Sequence, residues 1–466
     1  MTREKNKLEE LKKENKEKEN NDYEVREIAA AILNDGTIIE MLYDSNKSET
    51  SLAVCLNGNI EIKKTHLHEG ILYMPHSPEK GLLRNRTILF PSFPEEYGTR
   101  EELIKDIASF IKKYLSVSPF FEKITSFYAL FSWIHDDFNE LPYLRALGDY
   151  GTGKSRFLKT IGSVCYCPIF TSGATTISPI FRILEDFRGT LILDEADFEL
   201  SSTTAEIVKI LNSGFMKDMP VLRSEANNRK SFDVKSFNVF GPKLIATREL
   251  YKDSALESRM ITEDMSLISR REDIKESMPN DFDDEALAIR NKLLMFRFRE
   301  KGIHKLNYGL RNPNIESRLN QISLPLMSVI YDLEVLAEMK KYLEEYNTKI
   351  KNDRTLGYRY QILESICKLI DEGWVRITIK NITDTFNTDL RIADQKSPKQ
   401  MGFLIRRMLD LKTEKTRDGY ALTEDNKEKI EILRKRYGIK NENNDVNIVN
   451  DVNVSSNESK EQEIPF

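Results

Sequence analysis

With 466 residues, 40% hydrophobic and 31% charged, the chain is too long for one ordinary domain and too apolar to be disordered throughout. Its formal net charge of −5 excludes a protein coated in basic residues, while leaving room for a local basic channel. No run reaches the roughly 18–20 apolar residues of a membrane span, Met1 to Lys7 has no apolar secretory core, and Cys55, Cys165, Cys167 and Cys367 form no Cys-x-x-Cys pair, so the expectation is a soluble cytoplasmic protein with reduced thiols and no structural metal.

In chain order, residues 1–22 are almost all Lys, Glu and Asn, a charged tail that cannot bury a core. Residues 23–98 read as a β-rich N-terminal domain: short β-prone runs at Thr37–Leu42, Ser51–Cys55, Ile60–Lys63, Ile71–Met74 and Thr87–Phe90 alternate with Gly- and Asn-containing turns. A helix starts after Thr99, where Glu102 completes a capping box, and a second starts at Ser118-Pro119. Strands are expected at Tyr143–Leu147, Pro168–Ser172, Thr190–Leu193, Val221–Ser224, Phe232–Val239 and Lys243–Ala246, with helices among them, so residues 99–300 form an α/β domain on a parallel sheet. Residues 280–353 look wholly helical, with 301–354 as a connector. In 355–437 the order helix, short strand Val375–Ile377, two helices and a hairpin turning at Arg417-Asp418-Gly419 is a winged-helix pattern, and 438–466 reads as a disordered tail.

Chemistry concentrates between residues 148 and 195. Gly148-Asp149-Tyr150-Gly151-Thr152-Gly153-Lys154-Ser155 follows a strand and opens a helix, the arrangement in which backbone N–H groups wrap phosphates, Lys154 reaches the β- and γ-phosphates, and the Ser155 hydroxyl meets Mg²⁺. Leu191-Ile192-Leu193-Asp194-Glu195 is an apolar strand ending in two carboxylates. Asp194 would hold the metal through water and Glu195 would polarise the attacking water, so ATP and Mg²⁺ are the cofactors expected.

Lys243–Thr247 is another apolar strand with a polar tip, followed by Ala255-Leu256-Glu257-Ser258-Arg259. This order of P-loop, Asp-Glu strand, polar-tipped strand and Ala-Leu-x-Ser-Arg resembles AAA+ P-loop ATPases. The short interval between the first two motifs resembles the superfamily 3 and minichromosome-maintenance-like helicases of mobile elements and viruses. The resemblance covers about residues 120–300, and more weakly the winged helix. It implies Thr247 as the sensor of the γ-phosphate, Arg259 as an arginine finger acting on a neighbouring subunit of a homo-hexameric ring, and Arg290 as a lid arginine, with Arg297 and Arg299 competing.

Residues 220–234 are similar to the hairpin that such helicases push into the ring channel, which would set Arg229 and Lys230 against single-strand phosphates. The winged-helix pattern carries Lys396, Lys399, Arg406, Arg407, Lys412, Lys415 and Arg417, a basic face suited to duplex phosphates. His66, His68 and His76 lack a completing carboxylate or cysteine set and read as solvated strand histidines. The Ile464-Pro465-Phe466 end is similar to the acidic tip of bacterial single-stranded-DNA-binding proteins, which implies a docking peptide for a replication partner. The expected function is a DNA helicase or replication-initiation ATPase of a mobile element. A DNA-binding regulatory switch and a protein-remodelling ATPase are the alternatives, the latter disfavoured by the absence of an aromatic residue in Asn227–Lys230.

Overall fold

In the computed structural model, the structure describes residues 23–196, 202–226, 232–251, 253–355, 358–388, 390 and 395–439. Arg229, Lys230 and the Ile464–Phe466 tip lie outside the described residues. The chain divides into two units, residues 1–343 and 344–466.

The first unit opens with strands β1 (Glu24–Ile28), β2 (Ala30–Ile32), β3 (Ile38–Asp44), β4 (Glu49–Leu56), β5 (Asn59–Lys63), β6 (His66–His68) and β7 (Ile71–Pro75), then the short helix α1 (Gly81–Arg84). They form a meander β2-β3-β4-β5 and a three-stranded sheet β1-β7-β6. The run Thr87–Phe90 is not a strand of either sheet. It lies extended against Ile169, with one bridge from Ile88 and a bond from Phe170 N to the Thr87 carbonyl, because its apolar side chains Ile88, Leu89 and Phe90 are buried rather than alternating.

Two helices follow, α2 (Arg100–Tyr114) and α3 (Pro119–Ser132). The Thr99 hydroxyl accepts from Glu102 N while the Glu102 carboxylate accepts from Thr99 N, and the Ser118 hydroxyl caps α3 ahead of Pro119. The centre comprises β8 (Tyr143–Leu147), α4 (Lys154–Gly162), β9 (Ile169–Thr171), α5 (Ile177–Phe187), β10 (Leu191–Leu193), α6 (Ser202–Ser213), β11 (Val221–Ala226), β12 (Phe232–Phe237), β13 (Lys243–Thr247), α7 (Ser254–Glu257) and β14 (Met260–Asp264). Strands β14-β8-β13-β10-β9 form one all-parallel sheet, and α4 packs on β8, β10 and β13. These strands are near-continuous apolar runs, as buried parallel strands require. The β11–β12 ribbon is a separate antiparallel pair between β10 and β13 in sequence.

Helices α8 (Phe282–Glu300), α9 (Ser317–Met327) and α10 (Leu333–Thr355) follow. Residues 301–316 contain only a 3₁₀ turn at Tyr308–Leu310, so the 280–353 region is not continuously helical; Gly302, at φ 86°, ends α8. The β-rich segment is part of the same unit as the parallel sheet. Glu40 of β3 is buried with Arg297 of α8, whose guanidinium also pairs with Asp136 at 3.0 Å and donates to the Trp133 carbonyl. A buried carboxylate needs such a partner, so this pair ties the two layers together.

The second unit carries α11 (Tyr358–Asp371), α12 (Ile379–Asn387), α13 (Pro398–Leu404), which runs on into a π-helical turn at Ile405–Leu409, the hairpin β15 (Thr413–Thr416) and β16 (Gly419–Leu422), and α14 (Lys427–Tyr437). Its core gathers Ile362, Ile366, Ile382, Met401, Ile405 and Leu433. The expected strand Val375–Ile377 is reduced to one bridge from Thr378 to Ala421 and a bond from Leu422 N to the Ile377 carbonyl, since Val375 is fully exposed.

Candidate nucleotide site

The loop between β8 and α4 turns through glycines that other residues replace only with strain. Gly151 and Gly153 have φ 77° and 93°, and a Cβ at Gly148 would lie 2.9 Å from Thr152 Oγ1 and 3.2 Å from the Ser266 backbone nitrogen. Lys154 is the first residue of α4, with Ser155 next, so the unpaired N–H groups and positive dipole end of this helix open beside both side chains. The Lys154 ammonium donates to the Gly148 carbonyl at 2.6 Å and the Asp149 carbonyl at 2.7 Å. A phosphate oxygen is a stronger acceptor than either carbonyl. The loop is therefore a cradle that an anion fits and a Cβ would obstruct.

Strand order brings the second half of the site to the same end of the sheet. Strand β13 lies between β8 and β10, so Thr247, its last residue, stands between the glycine loop and the two carboxylates. Gly148 N donates to the Thr247 carbonyl at 3.1 Å on one side, and Ala196 N donates to the Ala246 carbonyl at 2.9 Å on the other. Thr247 is 1% exposed, and its Oγ1 has no hydrogen-bond partner among the described residues. A buried hydroxyl left unmade is costly, so this atom marks a position suited to a water or a phosphate oxygen.

Asp194 is half-buried and continues the β10 ladder, its N–H donating to the Thr171 carbonyl at 3.1 Å. Glu195 is exposed and takes φ +53°, a left-handed conformation that costs a non-glycine residue about 1 kcal/mol or more. Two contacts hold it there: Glu195 N donates to Asp194 Oδ1 at 2.9 Å, and the absence of a side chain at Gly173 admits the Glu195 carbonyl. Ser155 and Asp194 are the residues that would hold a Mg²⁺ between them.

The arginines singled out from the sequence are each held by partners within the chain. Arg259 is only 5% exposed. Its Nη1 donates to Asn212 Oδ1 at 2.6 Å and to the Ala255 carbonyl, and its guanidinium lies 4.3 Å over the Phe215 ring. These contacts hold Arg259 to α6 and α7 at the start of β14. Arg290 is also buried, donating to the Ser163 carbonyl at 2.7 Å and the Phe90 carbonyl at 3.3 Å. Ser163 caps the far end of the nine-residue α4, roughly 13 Å of helix away from Lys154, so Arg290 does not reach the phosphate cradle. Arg297 is buried in the Glu40–Asp136 cluster, and Arg299 pairs with Glu96 at 2.7 Å.

Sequence reasoning passed over Arg145, which is wholly buried in the middle of β8. It donates through Nη1 to Glu257 Oε2 at 2.6 Å and through Nε to Thr262 Oγ1 at 3.1 Å, tying the strand that leads into the loop to α7 and β14. An arginine within an apolar strand was the available signal, because a buried charge demands a partner.

In the second unit, Arg406 and Arg407 are both exposed on the π-helical turn. Arg406 donates to Thr413 Oγ1 at 3.1 Å, and Arg407 lies 5.7 Å from the Phe403 ring. His66 and His68 stack at 6.2 Å, while His76 contacts Glu27 Oε2 at 3.2 Å. No group of three or more potential metal-binding side chains occurs among the described residues.

No protein-family profile and no curated protein matches the chain. Among solved structures it is similar to the apo C-terminal region of NrS-1 (12% identity, TM-score 0.34, 82% of this chain and 96% of that one). It is also similar to SCCmec type IV Cch, an active helicase (13%, TM-score 0.38, 86% and 78%), and to inhibitor-bound JCV helicase (12%, TM-score 0.22, 57% and 64%).

Proposed function

We propose that the first unit binds and hydrolyses ATP with Mg²⁺, and that the protein is an AAA+-type DNA helicase or replication-initiation ATPase. The observation that carries this reading is the convergence, at one end of a parallel sheet, of the glycine cradle with Lys154, the unpartnered Thr247 hydroxyl and the Asp194–Glu195 turn.

Gly148 to Ser155 would wrap the triphosphate, with Lys154 exchanging its two carbonyl acceptors for phosphate oxygens. The magnesium ion, when bound by Ser155 and Asp194, neutralises charge on the β- and γ-phosphates. Glu195 then orients and deprotonates the attacking water, and Thr247 orients that water or the γ-phosphate.

DNA is the partner that best suits the remaining surface. The β11–β12 ribbon belongs to the same unit, Arg229 and Lys230 fall in the sequence between its strands, and the second unit, read as a winged helix, exposes Arg406 and Arg407 beside its hairpin. A homo-hexameric ring is part of this reading, since a channel hairpin acts only from a closed ring.

The test measures ATPase rate with and without single-stranded DNA alongside strand displacement. Single strands should accelerate turnover, and the double substitution Arg229→Ala/Lys230→Ala should remove that acceleration and the unwinding while leaving basal turnover. Arg406→Ala/Arg407→Ala should instead weaken duplex binding and lower its salt slope by about 2. Basal turnover that DNA never changes would leave a nucleotide-dependent switch in place of a helicase.

A further inference from the structure

Phe403 of α13 and Tyr420 of β16, both in the second unit, are 53% and 52% exposed. One exposed aromatic alone needs no explanation, but basic side chains link these two into a single surface. Arg406 and Arg407 follow Phe403 by three and four residues, the spacing that returns to the same side of a helix, and the Arg407 guanidinium lies 5.7 Å from the Phe403 ring centroid. Arg406 passes over Gly402, where a Cβ would lie 3.5 Å from its Nη1, and donates to Thr413 Oγ1 at 3.1 Å. In the hairpin, Thr413 stands opposite Leu422 and Lys415 opposite Tyr420. Side chains alternate between faces along a strand, so Thr413, Lys415 and Tyr420 share the face to which Arg406 is bonded. The surface therefore runs from Phe403 through Arg407, Arg406 and Lys415 to Tyr420.

Two further features set this face apart. Both arginines sit on the π-helical turn Ile405–Leu409, and single π turns within helices recur at functional sites. Nearby carboxylates leave the positive charge standing: Glu414 lies on the opposite face of the hairpin with buried Ala421, Asp410 pairs with Lys429 at 2.5 Å, and Asp418 adjoins Arg417 at the hairpin tip.

We propose that this face binds unpaired bases of single-stranded DNA where a strand leaves a duplex, with Phe403 and Tyr420 stacking on bases and Arg406, Arg407 and Lys415 on the phosphates beside them. This rests on the DNA reading of the second unit above and extends it from phosphates to bases. Within a duplex the bases stack on one another and offer a protein only their edges, so an aromatic face has nothing there to cover it. An unpaired base exposes its faces, and stacking on an aromatic side chain tolerates any sequence because every base has a π-face. Phosphate contacts alone would call for the cations without the rings. The surplus of positive charge in turn selects a polyanion over an apolar protein surface.

The experiment uses the full chain with Arg229→Ala/Lys230→Ala as background, so that single strands held near the β11–β12 ribbon do not mask the second unit. Two fluorescent DNAs are compared, a blunt duplex and the same duplex with a single-stranded tail of roughly 15 nucleotides. Adding Phe403→Ala/Tyr420→Ala should weaken binding of the tailed duplex by about 10- to 100-fold, the loss of two stacked bases, and leave the blunt duplex bound as before. The salt slope should not change, since no phosphate contact is removed. Tyr420→Trp, which keeps a stacking ring, should retain the affinity for the tail. With 5-iododeoxyuridine in the tail, irradiation should cross-link it to Phe403 or Tyr420. Undiminished binding of the tailed duplex by the double aromatic variant would overturn the proposal and leave the two rings to a protein partner. Equal losses on both DNAs, or cross-links only at other residues, would overturn it as well. If Arg406→Ala/Arg407→Ala binds both DNAs as before, the DNA reading of the second unit has itself failed, a result distinguishable because it appears with the aromatic rings intact.

Discussion

Arg145 shows how much of the site depends on a side chain that never meets a ligand. Wholly buried in β8 and paired with Glu257, it fixes the strand from which the phosphate loop springs. Removing one member of a buried pair leaves an uncompensated charge, so Glu257→Ala should cost about 3–5 kcal/mol, measured by chemical denaturation. Arg145→Met combined with Glu257→Leu should recover most of that loss; a single substitution costing less than about 1 kcal/mol would show the pair to be solvated. At this scale the turn-forming glycines between β8 and α4 were legible as local structure, because Gly151 and Gly153, at φ 77° and 93°, have a local reason for their type and spacing. The surroundings of Arg259 and Arg290 were not, because nothing local in the sequence tells that one guanidinium lies over Phe215 and the other on the Ser163 carbonyl.

Elements with local determinants were read closely: the Thr99 and Ser118 caps placed α2 and α3, and the apolar runs placed β8, β10 and β13. Strand β14 escaped notice because Met260–Asp264 ends in acids, yet it pairs with β8, with Glu263 accepting from Ser118 N at 2.5 Å. Thr87–Phe90 looked like a strand and became a buried extended segment, since β-propensity reports burial as much as pairing. The turn that follows α3 carries a pH dependence. His135 is buried, its Nδ1–H donating to the Ser132 carbonyl at 2.7 Å, and burial holds its pKa down from 6.5 to about 4 despite the adjacent Asp136 carboxylate. The unfolded chain therefore takes up a proton that the folded chain refuses, and stability present above pH 6.5 is lost as pH falls towards 4, by roughly 3 kcal/mol in all. Replacing His135 by Gln should flatten unfolding free energy between pH 7 and 4.5, whatever it does to stability at pH 7. An unchanged slope would mean that the acid loss comes from carboxylates such as Asp136, whose pKa is held well below the usual range by Arg297 against the opposing effect of burial.

Across the whole molecule, the sequence suggested a β-rich domain ahead of the α/β domain, and the structure has both within one unit, joined by the Glu40–Arg297–Asp136 cluster. Long-range ion pairs of this kind leave no local trace in sequence, because each residue alone looks like an ordinary surface charge. Among the described residues no helix is long and apolar enough to cross a membrane. At this scale the proposal is that the first unit hydrolyses ATP on the cradle and the Asp194–Glu195 turn. The most direct test measures nucleotide binding and turnover together in two variants, Lys154→Ala and Glu195→Gln. Lys154→Ala should lose ATP binding and therefore turnover, whereas Glu195→Gln should bind ATP as wild type does and hydrolyse it about 10²–10⁴-fold more slowly, since it removes the general base without touching the cradle. Full hydrolysis by Glu195→Gln, or undiminished ATP binding and turnover by Lys154→Ala, would contradict ATP hydrolysis at this site.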